Sequence, residues 1–285
     1  MRRLALPILI FATVIVAVAL AWFTLMHVAG GGGGADVTTE VRAVNPFHRL
    51  EISGRADVTL VEDSSESVTI EAAARGQPRV IARVERGTLI ISAGDSRRWW
   101  NMLIGGRATA TPRITVAFKS LDTIAVSGSI KLAADKINAT DLRIVASGGS
   151  TLRLDDIDAQ TIRINGSGAL KATLAGRVVE QRIEISGAGE VRADRLMSQD
   201  AVVNVSGAGS IVVNAAKTLR ATISGAGSVE YYGDPEVRQS VSGVGRVKRR
   251  QSASAEGPPF ARGAASLHGD IGRQVAERTP LEQQA

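Results

Sequence analysis

The sequence predicts an all-β protein whose main body, about residues 47–247, is a parallel β-helix. This is a single-chain β-solenoid of about 18–21 residues per coil, preceded by one N-terminal transmembrane or signal helix. Three observations carry this. An aliphatic–x–aliphatic–Ser–Gly unit recurs from residue 124 onward, five times in full and twice in variant form (Asn165 for Ser, Gln239 for the first aliphatic). Aromatics are only 4% of the chain while glycine supplies 30 of 285 residues, so the core has to be built from stacked small and branched aliphatics. Proline is nearly absent from the β-rich runs, as ladder strands require.

Residues 1–29 set the compartment. Arg2 and Arg3 precede an apolar run over 4–28, interrupted only by Pro7, Thr13 and Thr24 among its least apolar positions. A bilayer needs ~20 apolar residues, and the basic start favours a cytoplasmic N-terminus. The length favours an uncleaved inner-membrane anchor. Val28-Ala29-Gly30 is the alternative, a small-residue cleavage site that would release a secreted protein. In either case the remainder is exported, to the periplasm or outside the cell. Five consecutive glycines, Gly30 to Gly34, then read as the core of a flexible tether over 30–45.

Short β-rich, partly alternating runs follow at 49–52, 57–61, 68–72, 79–84 and 88–92. The stretch 94–112 interrupts them with Arg97, Arg98, Trp99 and Trp100 and reads as an excursion from the repeat. Strands resume at 114–118.

From residue 121 the chain repeats itself. Ile124-Ala-Val-Ser-Gly is followed by Ile144-Val-Ala-Ser-Gly, Ile162-Arg-Ile-Asn-Gly, Ile183-Glu-Ile-Ser-Gly, Val203-Asn-Val-Ser-Gly, Ala221-Thr-Ile-Ser-Gly and Gln239-Ser-Val-Ser-Gly. The closing glycines, Gly128, Gly148, Gly166, Gly187, Gly207, Gly225 and Gly243, are spaced by 20, 18, 21, 20, 18 and 18 residues. Period-2 aliphatics before the glycine give a strand with one buried face. An Asx column seven residues after four of the glycines, Asp135, Asp155, Asp194 and Asn214, marks a second corner. About ten coils at ~4.8 Å would make a rod of roughly 45–50 Å, with a core that no single repeat buries alone. Lys248-Arg249-Arg250 closes the domain, 46–250, and the compositionally biased 251–285 reads as a flexible tail.

The repeated Ile-Ser-Gly-Ala-Gly-x-Val signature, with the opening Phe47-His-Arg-Leu-Glu-Ile-Ser-Gly-Arg-Ala-Asp-Val-Thr-Leu, resembles the bacterial GIN-domain family. That family is labelled "putative auto-transporter adhesin, head domain" and is carried as a domain of unknown function. The resemblance spans about residues 44–247. It implies a right-handed parallel β-helix in an exported bacterial protein, and it brings no catalytic residues with it. The absence of Cys departs from lipoprotein-like members.

No cofactor, metal or catalytic residue is called for. Without Cys, disulfides, thiolate metal sites and cysteine nucleophiles are excluded. The Gly-x-Gly units never complete a dinucleotide fingerprint and open no helix, so they read as turns. The serines of the repeat, Ser53, Ser127, Ser147, Ser186, Ser206, Ser224 and Ser242, lack a positioned base. The three histidines are His27, His48 and His268. Asp155, Asp156 and Asp158 are the best carboxylate cluster, read as a solvated turn, with a cation site as the alternative. The formal charge of +6 would suit acidic partners, but acids and bases alternate along most of the chain, so no nucleic-acid partner is expected. The candidate partner contact is Trp99, Trp100, Arg97 and Arg98, aromatics flanked by arginines, facing an envelope glycan or protein. The expected function is a non-catalytic exported cell-envelope module with an adhesin-like binding or scaffold role. The alternative is a polysaccharide lyase or hydrolase, by fold analogy.

Overall fold

The computed structural model describes residues 37–73, 80–94 and 111–250. The N-terminal apolar run, the five glycines, Trp99 with its neighbours, and the tail lie outside the described residues. Eleven strands make one mixed sheet, and no helix occurs among the described residues. They are β1 (Val37–Ala43), β2 (Arg49–Glu62), β3 (Ser67–Ala73), β4 (Val80–Glu85), β5 (Thr88–Ala93), β6 (Arg113–Phe118), β7 (Thr123–Ala134), β8 (Ile137–Gly225), β9 (Ser228–Tyr232), β10 (Glu236–Gly243) and β11 (Arg246–Arg249).

The beginning of the domain is mixed, with β2 parallel to β5 and to β6, beside three antiparallel pairs. β1 pairs with β3, β3 with β6, and β4 with β5. Residues 37–43 fall in the stretch read from the sequence as tether, yet they pair with β3 from Val37↔Ala73 to Ala43↔Ser67. The β4–β5 hairpin turns on Arg86 (φ 49°) and Gly87 (φ 72°), the two positive φ values that a two-residue type I′ turn demands.

The remainder pairs in parallel. β2 runs beside β7 from Arg49↔Thr123 to Leu60↔Ala134, with Gly54 opposite Gly128. β7 continues onto β8 with Ser127↔Ser147 and Gly128↔Gly148. At the far end β9 lies on residues 210–214 of β8, β10 on residues 218–225, and β11 on β9. The glycines show how the long strand β8 lies on itself. A Cβ on Gly168 would meet Gly148, one on Gly187 would meet Gly168, one on Gly207 would meet Gly187, and one on Gly225 would meet Gly207.

This stacking corrects one register. The repeat unit places Gly166 at the corner, but Gly168 holds it, with φ +95° and backbone packed on Gly148. Gly166 instead takes an inward position, where the tips of Leu170 and Ile185 fill the space a side chain would occupy. A shift of two residues preserves which face is buried, so alternation alone does not reveal it.

Inward side chains stack in columns. One column is Ile124, Ile144, Ile164, Ile183, Val203 and Ala221, and beyond the corner another is Val191, Ile211 and Val229; Ile137, Ile157, Val178, Leu196 and Ala215 are buried as well. Burying one such branched side chain contributes about 1.5–3 kcal/mol. The core contains a small polar knot. The buried Gln181 donates from Nε2 to Ser198 Oγ (2.8 Å) and to the Asn214 carbonyl (2.9 Å), and Ser198 Oγ donates to the same carbonyl (2.7 Å).

Candidate binding face

The outward side chains of each repeat's first strand are set by the same register. Five residues before each corner glycine the chain places Arg143, Arg163, Arg182, Val202, Arg220 and Arg238. The pairings Thr123↔Arg143 and Arg220↔Arg238 tie the two ends of this column, and Arg49↔Thr123 extends it. The neighbours on either side in sequence are buried: Leu142 and Ile144, Ile162 and Ile164, Leu219 and Ala221. Alternation therefore turns each arginine outward, and neighbouring layers stand ~4.8 Å apart. From Arg143 to Arg238 the result is an arginine ladder with one missing rung, Val202, and Thr123 separates that ladder from Arg49.

Two residues before the ladder position, four repeats carry an acid (Asp141, Glu180, Asp200 and Glu236) and two a threonine (Thr161 and Thr218). Arg163 pairs with Asp141 (3.6 Å), Arg182 with Glu180 (3.3 Å) and Arg238 with Glu236 (3.0 Å). Asp200 accepts a hydrogen bond from Thr218 Oγ1 at 2.6 Å. Among the described residues no hydrogen bond or ion pair engages the Arg220 side chain. Arg182 Nε is buried and has no hydrogen-bond partner. Around the missing rung lies a cleft of about 610 Å³, floored by Val202 and walled by Arg182, Asn204, Arg220, Thr222 and Arg238. Its polar groups are donors and neutral hydrogen-bonding groups, with Glu236 at the rim already held by Arg238.

The residues singled out from the sequence are dispersed. Trp99, Trp100, Arg97 and Arg98 fall outside the described residues. Asp155 is paired with Arg153 at 2.9 Å, and that hydrogen bond, with the charges of Asp155 and Asp135, raises the Arg153 pKa above its ordinary value. Asp156 and Asp158 are exposed, and no metal-holding group of three or more His, Cys, Asp or Glu exists among the described residues. Two of the repeat serines bond within the turn column, Ser53 Oγ to Ser92 Oγ (3.3 Å) and Ser147 Oγ to the Val126 carbonyl (3.4 Å). His48 packs against Gly87, away from those serines. In the Asx column, Asn214 Nδ2 donates to the Asp194 carbonyl one repeat earlier (3.3 Å), while Tyr232 pairs beside Asn214.

The arginine ladder was legible in principle. Leu142-Arg-Ile, Ile162-Arg-Ile, Gln181-Arg-Ile and Leu219-Arg-Ala stand in the sequence. With the corner set at Gly166 the column loses register, and its alignment disappears.

Known structures share this architecture. A "putative adhesin" from Bacteroides fragilis NCTC 9343 is 19% identical with a TM-score of 0.68, covering 78% of this chain and 100% of its own. A "putative adhesin" from Parabacteroides merdae ATCC 43184 is 19% identical (TM-score 0.55, 77% of this chain and 98% of its own). A "putative lipid binding protein" from Parabacteroides distasonis ATCC 8503 is 20% identical (TM-score 0.54, again 77% and 98%). At these identities the likeness is one of fold. None of the curated proteins matches the chain. Residues 46–235, well over half of the sequence, match the family described as "putative auto-transporter adhesin, head GIN domain", and the chain belongs to that family.

Proposed function

We propose that the chain is a non-catalytic, exported cell-envelope module that winds as a right-handed parallel β-helix and serves in an adhesin-like binding or scaffold role. The observation that carries this reading is the surface itself. Outward side chains recur in register from layer to layer, as in the Arg143, Arg163 and Arg182 column. A surface that repeats suits an extended or repeating partner, and it contrasts with a pocket in which unlike groups converge for catalysis. The family and the structures reported above carry the descriptions "putative auto-transporter adhesin", "putative adhesin" and "putative lipid binding protein", and these support a binding role.

In this reading residues 4–28 anchor the protein in the inner membrane, and the domain sits in the periplasm or outside the cell. The segment Arg97, Arg98, Trp99 and Trp100 is one proposed contact, with an envelope glycan or protein on the other side. The test is retention of isolated envelope glycan and envelope protein fractions by the full chain, with reducing ends counted in parallel. Retention without new reducing ends is expected, and Trp99→Ala with Trp100→Ala weakens it. Chain cleavage by the protein would overturn the non-catalytic reading. A mature N-terminus near Gly31 would overturn the anchor.

A further inference from the structure

We infer that the missing rung at Val202 is an anion site, and that it takes the carboxylate of an acidic sugar in a linear glycan lying along the arginine ladder. The inference rests on the binding-module reading and assigns that module a ligand class and a residue set.

The argument starts from what is already satisfied. Around the cleft, Glu180 is held by Arg182, Glu236 by Arg238, and Asp200 by Thr218. One whole guanidinium and one further N–H are left over. The Arg220 guanidinium engages no partner among the described residues, and Arg182 Nε is buried without one. A buried donor with no partner is uncommon in a folded protein and marks a place where an outside acceptor is expected. Arg182 and Arg220 stand one layer to each side of Val202, so their backbones are roughly 9.5 Å apart with nothing longer than valine between them. An acceptor seated over Val202 is therefore flanked by two guanidinium groups. Guanidinium favours planar, bidentate acceptors, which a carboxylate provides. Asn204 and Thr222 border the same cleft and offer an amide and a hydroxyl suited to sugar hydroxyls.

The wider face decides among anionic partners. The ladder and its flanking columns carry six arginines (Arg49, Arg143, Arg163, Arg182, Arg220, Arg238) against six acids (Glu51, Asp141, Glu180, Glu184, Asp200, Glu236). A balanced face exerts little long-range attraction, so recognition here is local to the gap. Nucleic acid presents a dense line of phosphates that calls for a net basic surface, and a single strand calls for aromatic stacking platforms. The cleft gathers three arginines against one glutamate, but the face around it has no excess of base, and no aromatic side chain lines the cleft. A glycan with one carboxylate per sugar, and hydroxyls elsewhere, matches both the gap and the neutral Asn204 and Thr222 beside it.

The test uses the full chain in detergent, with a galacturonate oligomer as the acidic probe and a glucose oligomer of equal length as the neutral one, by titration calorimetry. Binding of the acidic oligomer alone is expected. Val202→Arg completes the ladder and adds a positive charge, and it is expected to weaken binding at least tenfold because it fills the seat. Arg220→Gln is expected to weaken it about tenfold, and Arg143→Gln, several layers away, by less than twofold. Unchanged or tighter binding by Val202→Arg would overturn the site while leaving the binding-module reading intact. Failure of wild-type protein to bind the acidic oligomer, or tighter binding of single-stranded DNA or anionic vesicles, would overturn the ligand class. Cleavage of the oligomer would instead overturn the non-catalytic reading. Circular dichroism on each variant confirms that the strands are retained.

Discussion

Gly168 rests backbone to backbone on Gly148. A Cβ built on Gly168 would lie 2.6 Å from the Gly148 carbonyl oxygen and 3.0 Å from its nitrogen. The same residue has φ +95°, a conformation that side chains rarely adopt. Two independent constraints thus exclude any residue but glycine at this corner, and the neighbour that would have to move is main chain.

Gly168→Ala is expected to lower stability by about 2–4 kcal/mol, combining the ~1–3 kcal/mol of a strained φ with the backbone clash. Gly166→Ala is expected to cost about 1 kcal/mol, because the added methyl meets only the tips of Leu170 and Ile185. Chemical denaturation of both variants checks the register: equal losses, or a larger loss at Gly166, would contradict it.

Ile183 is fully buried in a column with Ile164 and Val203. Ile183→Ala is expected to cost about 2–5 kcal/mol, and Ile183→Val about 0.5–1.5 kcal/mol, since the first leaves a cavity and the second removes one methylene. Unfolding midpoints in denaturant measure the difference.

The polar knot predicts an asymmetry. Gln181 Oε1 is buried and has no partner, and the Asn214 carbonyl receives Ser198 Oγ as well as Gln181 Nε2. Gln181→Leu removes an unpaired acceptor and still leaves the carbonyl bonded, so its cost should stay below about 1 kcal/mol. A loss of more than about 2 kcal/mol in thermal or chemical unfolding would mean that the amide does more than these contacts account for.

Glu190 predicts the acid limb of stability. Burial alone would raise its pKa, but Arg192 (2.6 Å) and Lys171 of the preceding repeat (3.5 Å) outweigh burial and hold it below its ordinary value. A depressed carboxylate contributes stability that is present above the unfolded glutamate pKa of about 4.3 and is lost as pH falls through the folded value. The pair is partly exposed, so the effect should be under about 1 kcal/mol. Unfolding midpoints of wild type and Glu190→Gln between neutral and acid pH should converge as the carboxylate protonates; parallel curves would refute the assignment.

Much of this protein is local and could be read from the chain. Ile183-Glu-Ile-Ser-Gly states a strand, its buried face and its corner, because alternation and positive φ are properties of a few consecutive residues. What needed tertiary structure is what lies one layer away. Repeats of 18 to 20 residues do not share one length, so position in sequence does not say which side chain lies beside which. Stacking alone decides that Gly168 follows Gly148 at the corner, that Val37 pairs with Ala73, and that Arg182 and Arg220 flank Val202. The physical reason is that ladder hydrogen bonds and close glycine backbone contacts select the register between layers, and residues some twenty positions apart carry no mark of that choice.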